Sequence, residues 1–181
     1  MRRRSLDEDF DAYRRRLRSY VNGRDPGEIL RRTPGAIARR IGRVSKRRLA
    51  RPPAPGKWSA GEILAHLADM ELLWGYRMRT ILEKSGVPIA GMDQDAWARI
   101  ACYETLDPKH SLDMFRAIRR CNLELTRNLP TAALARHGTH SQFGRITVAG
   151  ILELLAGHDI NHSRQLDAIL GTRGRVRRQR R

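Results

Sequence analysis

The sequence predicts an all-α protein: a four-helix bundle with a long crossover connection and an extra helical arm at its N-terminus. Three observations lead there. Four long segments repeat apolar residues at helical spacing, most of them opening on a capping signal, and no connection between them alternates like a strand. A chain of 181 residues fits one domain with appendages.

Residues 5–21, SLDEDFDAYRRRLRSYV, place apolar side chains at 6, 10, 13, 17 and 20–21, the spacing of one helix face. NGRDPGE interrupts this helix, so residues 1–24 are expected to form a basic helical arm and 25–171 the bundle. Asp25 offers an N-cap, Pro26 a first helical position and Glu28 the position three after the cap. Thr33-Pro34-Gly35 is expected to break or restart that helix, which runs on to about Val44. RPPAPGK (51–57) reads as a connector. Ser59-Ala60-Gly61-Glu62 is a capping box opening EILAHLADMELLWGYRMRTILEK, with Gly86 expected as its C-terminal cap and Pro88 beyond. Asp107-Pro108 opens KHSLDMFRAIRRCNLELTRNL, which stops at Pro130. Thr147 can cap VAGILELLAGHDINHSRQLDAIL, closed by Gly171. The connections 85–107 and 130–146 are long enough to permit a crossover or contribute to a site.

The formal charge of +17 is carried by the ends. Residues 1–48 hold 16 Lys and Arg against 6 Asp and Glu, the middle stretch 49–170 holds 14 against 13, and the tail from 171 holds six Arg and no acid. The arginine-rich stretch 172–181 is expected to be disordered. Such ends can attract nucleic acid weakly and without sequence choice, but the near-neutral body offers no recognition surface and no aromatics interleave with the arginines. There is no apolar run of membrane-spanning length. MRRRSLDEDF turns acidic where a secretory signal needs an apolar stretch, so a cytoplasmic location is expected. Two cysteines, Cys102 and Cys121, give neither a disulfide framework nor a CxxC motif.

Chemistry is most legible in the histidines. At about 100° per residue, His66 falls near 300° on its helix, at the edge of the stripe formed by Ile63, Leu67, Met70, Trp74 and Ile81. His158 and His162 fall near 280° and 320° on the last helix, beside Leu155, Leu166 and Ile169. An i, i+4 pair facing inward can bind one ion, and His66 supplies a third imidazole; core packing of the same residues remains the alternative. The segment 158–162 also reads HDxxH, one methylene short of the HExxH of zinc proteases. Asp159 falls near 20°, toward the core and away from an open cleft, which argues against a protease base.

RPPAPGKWSAGEILAHLADME (51–71), DQDAW (93–97) and ITVAGILELLAGHDINHSRQL (146–166) together resemble the DinB-like superfamily of metal-dependent four-helix proteins, over residues 28 to 170. That resemblance implies an up-down-down-up bundle and one divalent metal, zinc or nickel, held by His66, His158 and His162. It also implies a small-molecule substrate, with a low-molecular-weight-thiol S-transferase as the expected activity. A metal-dependent hydrolase, or a non-catalytic metal-stabilised bundle with basic ends, is the alternative. Three neutral His ligands leave an open coordination position, which suits activation of a thiol or water. Asp159 and Asn161 are expected to orient an imidazole N–H, and His140, in RHGTHSQFG, to shuttle protons near the mouth of the site. A homodimer joined through the N-terminal arm is a further expectation.

Overall fold

The computed structural model describes residues 9–171. The expectations for the chain start and for the tail 172–181 lie outside the described residues. The helices are α1 (Phe10–Val21), α2 (Pro26–Ile41), α3 (Lys46–Leu49), α4 (Ala60–Glu83), α5 (Gln94–Ile100), α6 (Pro108–Thr126), α7 (Thr131–Leu134) and α8 (Val148–Leu170), with a 3₁₀ turn at Tyr103–Thr105. Three short strands accompany them: β1 (Val87–Ile89), β2 (His137–His140) and β3 (Gly144–Thr147).

The caps read from the sequence are in place. Ser59 Oγ accepts from the Glu62 amide at 3.2 Å while Glu62 Oε2 accepts from the Ser59 amide at 2.7 Å. Asp25 caps α2, Asp107 caps α6 and Thr147 caps α8 by accepting first-turn amides. Each such cap contributes about 0.5–2 kcal/mol.

Two local expectations are corrected. α2 runs unbroken through buried Pro34. Proline has no N–H to give the Leu30 carbonyl one turn back, and that carbonyl instead accepts from Arg119 Nη1 at 2.9 Å. A residue from another helix therefore supplies the hydrogen bond that the proline removes. Gly86 does not cap α4, which ends at Glu83; with φ +87 it turns the chain so that its amide donates to the His137 carbonyl at 2.6 Å.

α2, α4, α6 and α8 form the bundle, and cross-helix pairs give its direction. Gly61 lies against Pro108, Glu71 bonds Arg119 and Gly75 lies against Asn122, so α4 and α6 run parallel. Leu30 shares Arg119 with Asp159, and Arg40 pairs with Asp167, so α2 and α8 run parallel. Lys46, just past α2, reaches Asp107 at the start of α6, so those two are antiparallel. The result is the up-down-down-up order. One core cluster holds Ile63, Leu64, Leu67, Phe115 and Leu166; the other holds Leu30, Met70, Met78, Ile81, Ile151 and Leu155.

α1 is packed against this body. Arg16 reaches Asn161, Leu17 meets Gly157 and Arg18 pairs with Glu153, an antiparallel course along α8 that buries Leu17 and Val21. The apolar face of the expected arm is thus used within the chain.

The strands were not anticipated. β1 pairs parallel with β2, and β2 antiparallel with β3. Segments of three or four residues are too short to show alternation, and β1 even contains Pro88. Their stability comes from pairing between the two long connections, which the sequence holds some fifty positions apart. Gly138 permits that approach, since a Cβ there would stand 2.5 Å from Ile89 Cδ1. The sheet brings Ile89 and Ile146 into the core and fixes His140 over α4.

Candidate metal centre

Antiparallel packing of α4 and α8 brings three imidazoles together. His66 Nε2 stands 3.1 Å from His158 Nε2, and His162 Nε2 stands 3.0 Å from the same atom. Two nitrogens held tetrahedrally by one ion at about 2.0–2.1 Å are about 3.3 Å apart, so the spacing fits a shared divalent cation. Hydrogen bonding explains it less well. A ring nitrogen carries one N–H or one lone pair, so a proton that serves one contact of His158 Nε2 serves the other poorly. Three lone pairs aimed at one cation would satisfy all three Nε2 atoms.

Burial prepares those lone pairs. The three side chains are 2%, 9% and 6% exposed. Desolvation, and then the neighbouring imidazoles, hold the pKa of each well below the ordinary histidine range; Gln165 opposes the shift at His162. Neutral rings are the form that binds metal. The Nδ1 atoms of His66 and His158 have no hydrogen-bond partner among the described residues. Trp58, from the PGKW segment, packs on His66 with ring centroids 4.9 Å apart and restricts its rotation.

Asp159 and Asn161 do not orient the imidazoles. Asp159 is fully buried and accepts two bonds from Arg119, at 2.7 and 3.0 Å. Arg119 also donates to Glu71 Oε1 at 2.8 Å, and Asn122 donates to the other Glu71 oxygen at 3.1 Å. Next to His158 in sequence, this cluster ties the histidine-bearing turn of α8 to α2, α4 and α6. Burial raises the Asp159 pKa against the pull of Arg119. Asn161 accepts from Arg16 Nη1 at 3.2 Å and so joins α8 to α1.

A cavity of about 930 Å³ opens beside the histidines, lined by all three together with Trp58, Met70, Trp74, Arg77, His140 and Phe143. His140 is on its wall, as expected for a group near the mouth. Its Nδ1 accepts from the amides of Gln142 (3.0 Å) and Phe143 (3.4 Å), so the ring proton sits on Nε2. Burial and nearby Arg77 push its pKa down to about 4. At neutral pH His140 is therefore a fixed hydrogen-bond donor, which disfavours the shuttle role.

The family model of the DinB superfamily matches residues 9–166, from the N-cap of α1 to a point one turn short of the end of α8. The chain belongs to the DinB superfamily. The match begins well before residue 28, where the resemblance read from the motifs starts, and so takes in α1. Two Oceanobacillus iheyensis proteins named as proposed metal-dependent hydrolases resemble this DinB-superfamily chain. OB0413 is 25% identical over 122 residues, 67% of this chain and 70% of its own length. OB0782 is 24% identical over 107 residues, covering 59% and 62%. The fold is that of YfiT from Bacillus subtilis, a proposed metal-dependent hydrolase with an unusual four-helix bundle topology, at a TM-score of 0.71 and 20% identity over 94% of each chain.

Sequence reasoning missed several residues of this DinB-superfamily protein. Arg119 lies on the stripe Leu112, Phe115, Arg119, Asn122 that α6 buries. A charge inside such a stripe calls for an opposite one, and Asp159, counted onto the core side of its own helix, was the available signal. Arg77 continues the His66, Met70, Leu73, Trp74 face of α4 and was readable by the same arithmetic. Gly157 sits against the Leu17 backbone, and nothing in one sequence marks that contact.

Proposed function

We propose that this protein is a metal-dependent enzyme acting on a small molecule, with hydrolysis as its reaction, and that His66, His158 and His162 hold one divalent ion, zinc or nickel. The observation carrying this reading is the convergence of three buried, neutral Nε2 atoms on the wall of a large cavity. The proposed functions of OB0413, OB0782 and YfiT point the same way. An ion bound there would supply Lewis acidity, polarising a substrate carbonyl and generating a nucleophile at neutral pH. The chain's own part is positioning. Trp58 fixes His66, the Arg119 cluster anchors the turn bearing His158, and Trp74 and Met70 offer an apolar wall that excludes water. The proposed setting is the cytoplasm, with Cys102 and Cys121, both exposed, as free thiols.

A second reading, transfer to a low-molecular-weight thiol in place of water, is favoured by the cavity volume. About 930 Å³ lies near the top of the range for pockets that hold one drug-sized ligand, and leaves room for a cosubstrate.

Untagged protein loaded with Zn²⁺ or Ni²⁺ and screened against activated esters, amides and alkyl electrophiles, with and without glutathione-type thiols, tests both. Metal-dependent turnover with water alone, lost in His158→Ala, is expected from the first reading. Turnover that needs the thiol assigns the second. Turnover indifferent to metal and to His158→Ala would overturn both.

A further inference from the structure

Of the cationic side chains that line the cavity, Lys57, Arg77 and Arg99, the buried one is Arg77, and the metal reading leaves it unused. It projects from the same face of α4 as His66, eleven residues on, and is 6% exposed. Among the described residues its hydrogen bond is from Nη2 to the Ala90 carbonyl, at 2.5 Å, and no carboxylate pairs with it. Of the two acids on the cavity wall, Asp93 is the N-cap of α5, close to Arg99, and Asp95 lies in the first turn of that helix. Burial, with no acidic group opposing it, pulls the Arg77 pKa down to about 10. A guanidinium is rarely buried without a counter-charge, and this one faces a cavity that a ligand can enter.

Its surroundings are built to receive one. The Arg77 guanidinium carbon lies 4.3 Å from the centre of the Trp74 ring, and the His140 ring stacks on the same indole at 5.9 Å. His140 is locked with its proton on Nε2 by two backbone amides, so Arg77 and His140, both in contact with Trp74, offer a cation and an N–H donor to the cavity. Side chains on a helix lean toward its N-terminus, which agrees with the guanidinium lying over Trp74, one turn back. Trp74 is eight residues from His66, about 12 Å along the axis at 1.5 Å per residue. Met70 and Leu73 line the wall between.

We infer that Arg77, with His140 beside the same indole, binds the anionic end group of an elongated substrate whose apolar body lies along Met70 and Trp74 and whose reacting group reaches the three histidines. The inference rests on the metal reading for the placement of the reacting group, but the anion corner is independent of any ion. It narrows the substrate class to small molecules bearing a carboxylate or phosphate at the end remote from the reacting bond.

The test uses the full chain freed of metal, at neutral pH, with binding followed by tryptophan fluorescence and calorimetry. The probes are 4-phenylbutyrate, its neutral isostere 4-phenylbutanamide, and the matching phosphonate. The acid should bind at least about tenfold tighter than the amide, as a charge-assisted hydrogen bond implies. Arg77→Gln should reduce that preference to below about twofold, while Arg77→Lys, which keeps the charge but loses the planar fork over Trp74, should give an intermediate preference. Tighter binding of the phosphonate than of the carboxylate would assign a phosphate end group, and the reverse a carboxylate. Equal binding of acid and amide, binding of neither, or an acid preference unchanged in Arg77→Gln would overturn the inference. Because the protein is metal-free, none of those results bears on the metal reading, and failure of the wild type to take up an ion would leave the anion result standing.

Discussion

Replacing Arg119 with methionine should cost this fold far more than neutralising the acid it holds. In the wild type one guanidinium, 3% exposed, serves Asp159, Glu71 and the Leu30 carbonyl left without a helical donor by Pro34. Arg119→Met leaves two carboxylates, 0% and 1% exposed, with no cation. Breaking a buried pair from one side costs about 3–5 kcal/mol, and an orphaned buried carbonyl about 1–3 more. Asp159→Asn, by contrast, leaves Arg119 paired with Glu71, a neutral pair, and gives up one charge-assisted bond, about 1.5–3 kcal/mol. Thermal and urea unfolding of metal-free protein, followed by circular dichroism, measures both. At about 2–4 °C per kcal/mol for a chain of this size, Arg119→Met should lower Tm by roughly 10–25 °C and Asp159→Asn by less than half as much. Acid should partly rescue Arg119→Met: without the guanidinium, burial raises the folded-state pKa of Asp159 unopposed, so stability is present at low pH and lost as pH rises. Equal losses in the two variants, or an Arg119→Met loss independent of pH, would refute the assignment of this cluster as the anchor of α8.

Gly157→Ala should push α1 off α8, because its Cβ would overlap the Leu17 backbone. Overpacking costs about 1–3 kcal/mol, only part of which the better helix propensity of alanine returns, and hydrogen exchange should show the loss concentrated in α1 amides. Metal-free protein should lose stability on acidification, since the folded-state pKa values of His66, His158 and His162 are depressed. Their contribution is full above the unfolded imidazole pKa and is lost as pH falls toward the folded one, about 1 kcal/mol per histidine between pH 6.5 and 5.5. Unfolding measured across that window should slope accordingly, and the slope should weaken in His158→Ala; a flat profile would contradict the burial of neutral rings.

The fold was legible where it rests on local chemistry. Ser59, Asp25, Asp107 and Thr147 cap helices through amides two or three residues away, so short stretches of sequence contain both partners. His158 and His162 were legible as a pair for the same reason, and His66 because three-residue and four-residue spacing placed it on an inward face. What failed depends on contacts between distant segments. Pro34 continues α2 because Arg119, some 85 residues later, takes the freed carbonyl. Asp159 looks available to an imidazole until the same arginine reaches it from α6. The strands exist because two loops meet, and α1 is held close because residue 157 is glycine. Within the site, the inward placement of the three histidines was readable from periodicity. Arg119 and Arg77 could be counted onto buried faces, but what each of them touches, and the packing of Trp58 on His66, depends on how the helices pack.

The proposed chemistry depends on three imidazoles sharing one ion. Untagged protein, stripped with chelator, should be equilibrated with Zn²⁺ or Ni²⁺, desalted, and its metal content and binding isotherm measured beside folded His66→Ala, His158→Ala and His162→Ala variants. Wild type should hold one ion per chain and each variant should lose it, with wild-type unfolding shifted upward by the metal. A wild type that retains no ion, or retention undiminished in all three variants, would show that His66, His158 and His162 do not form a metal site.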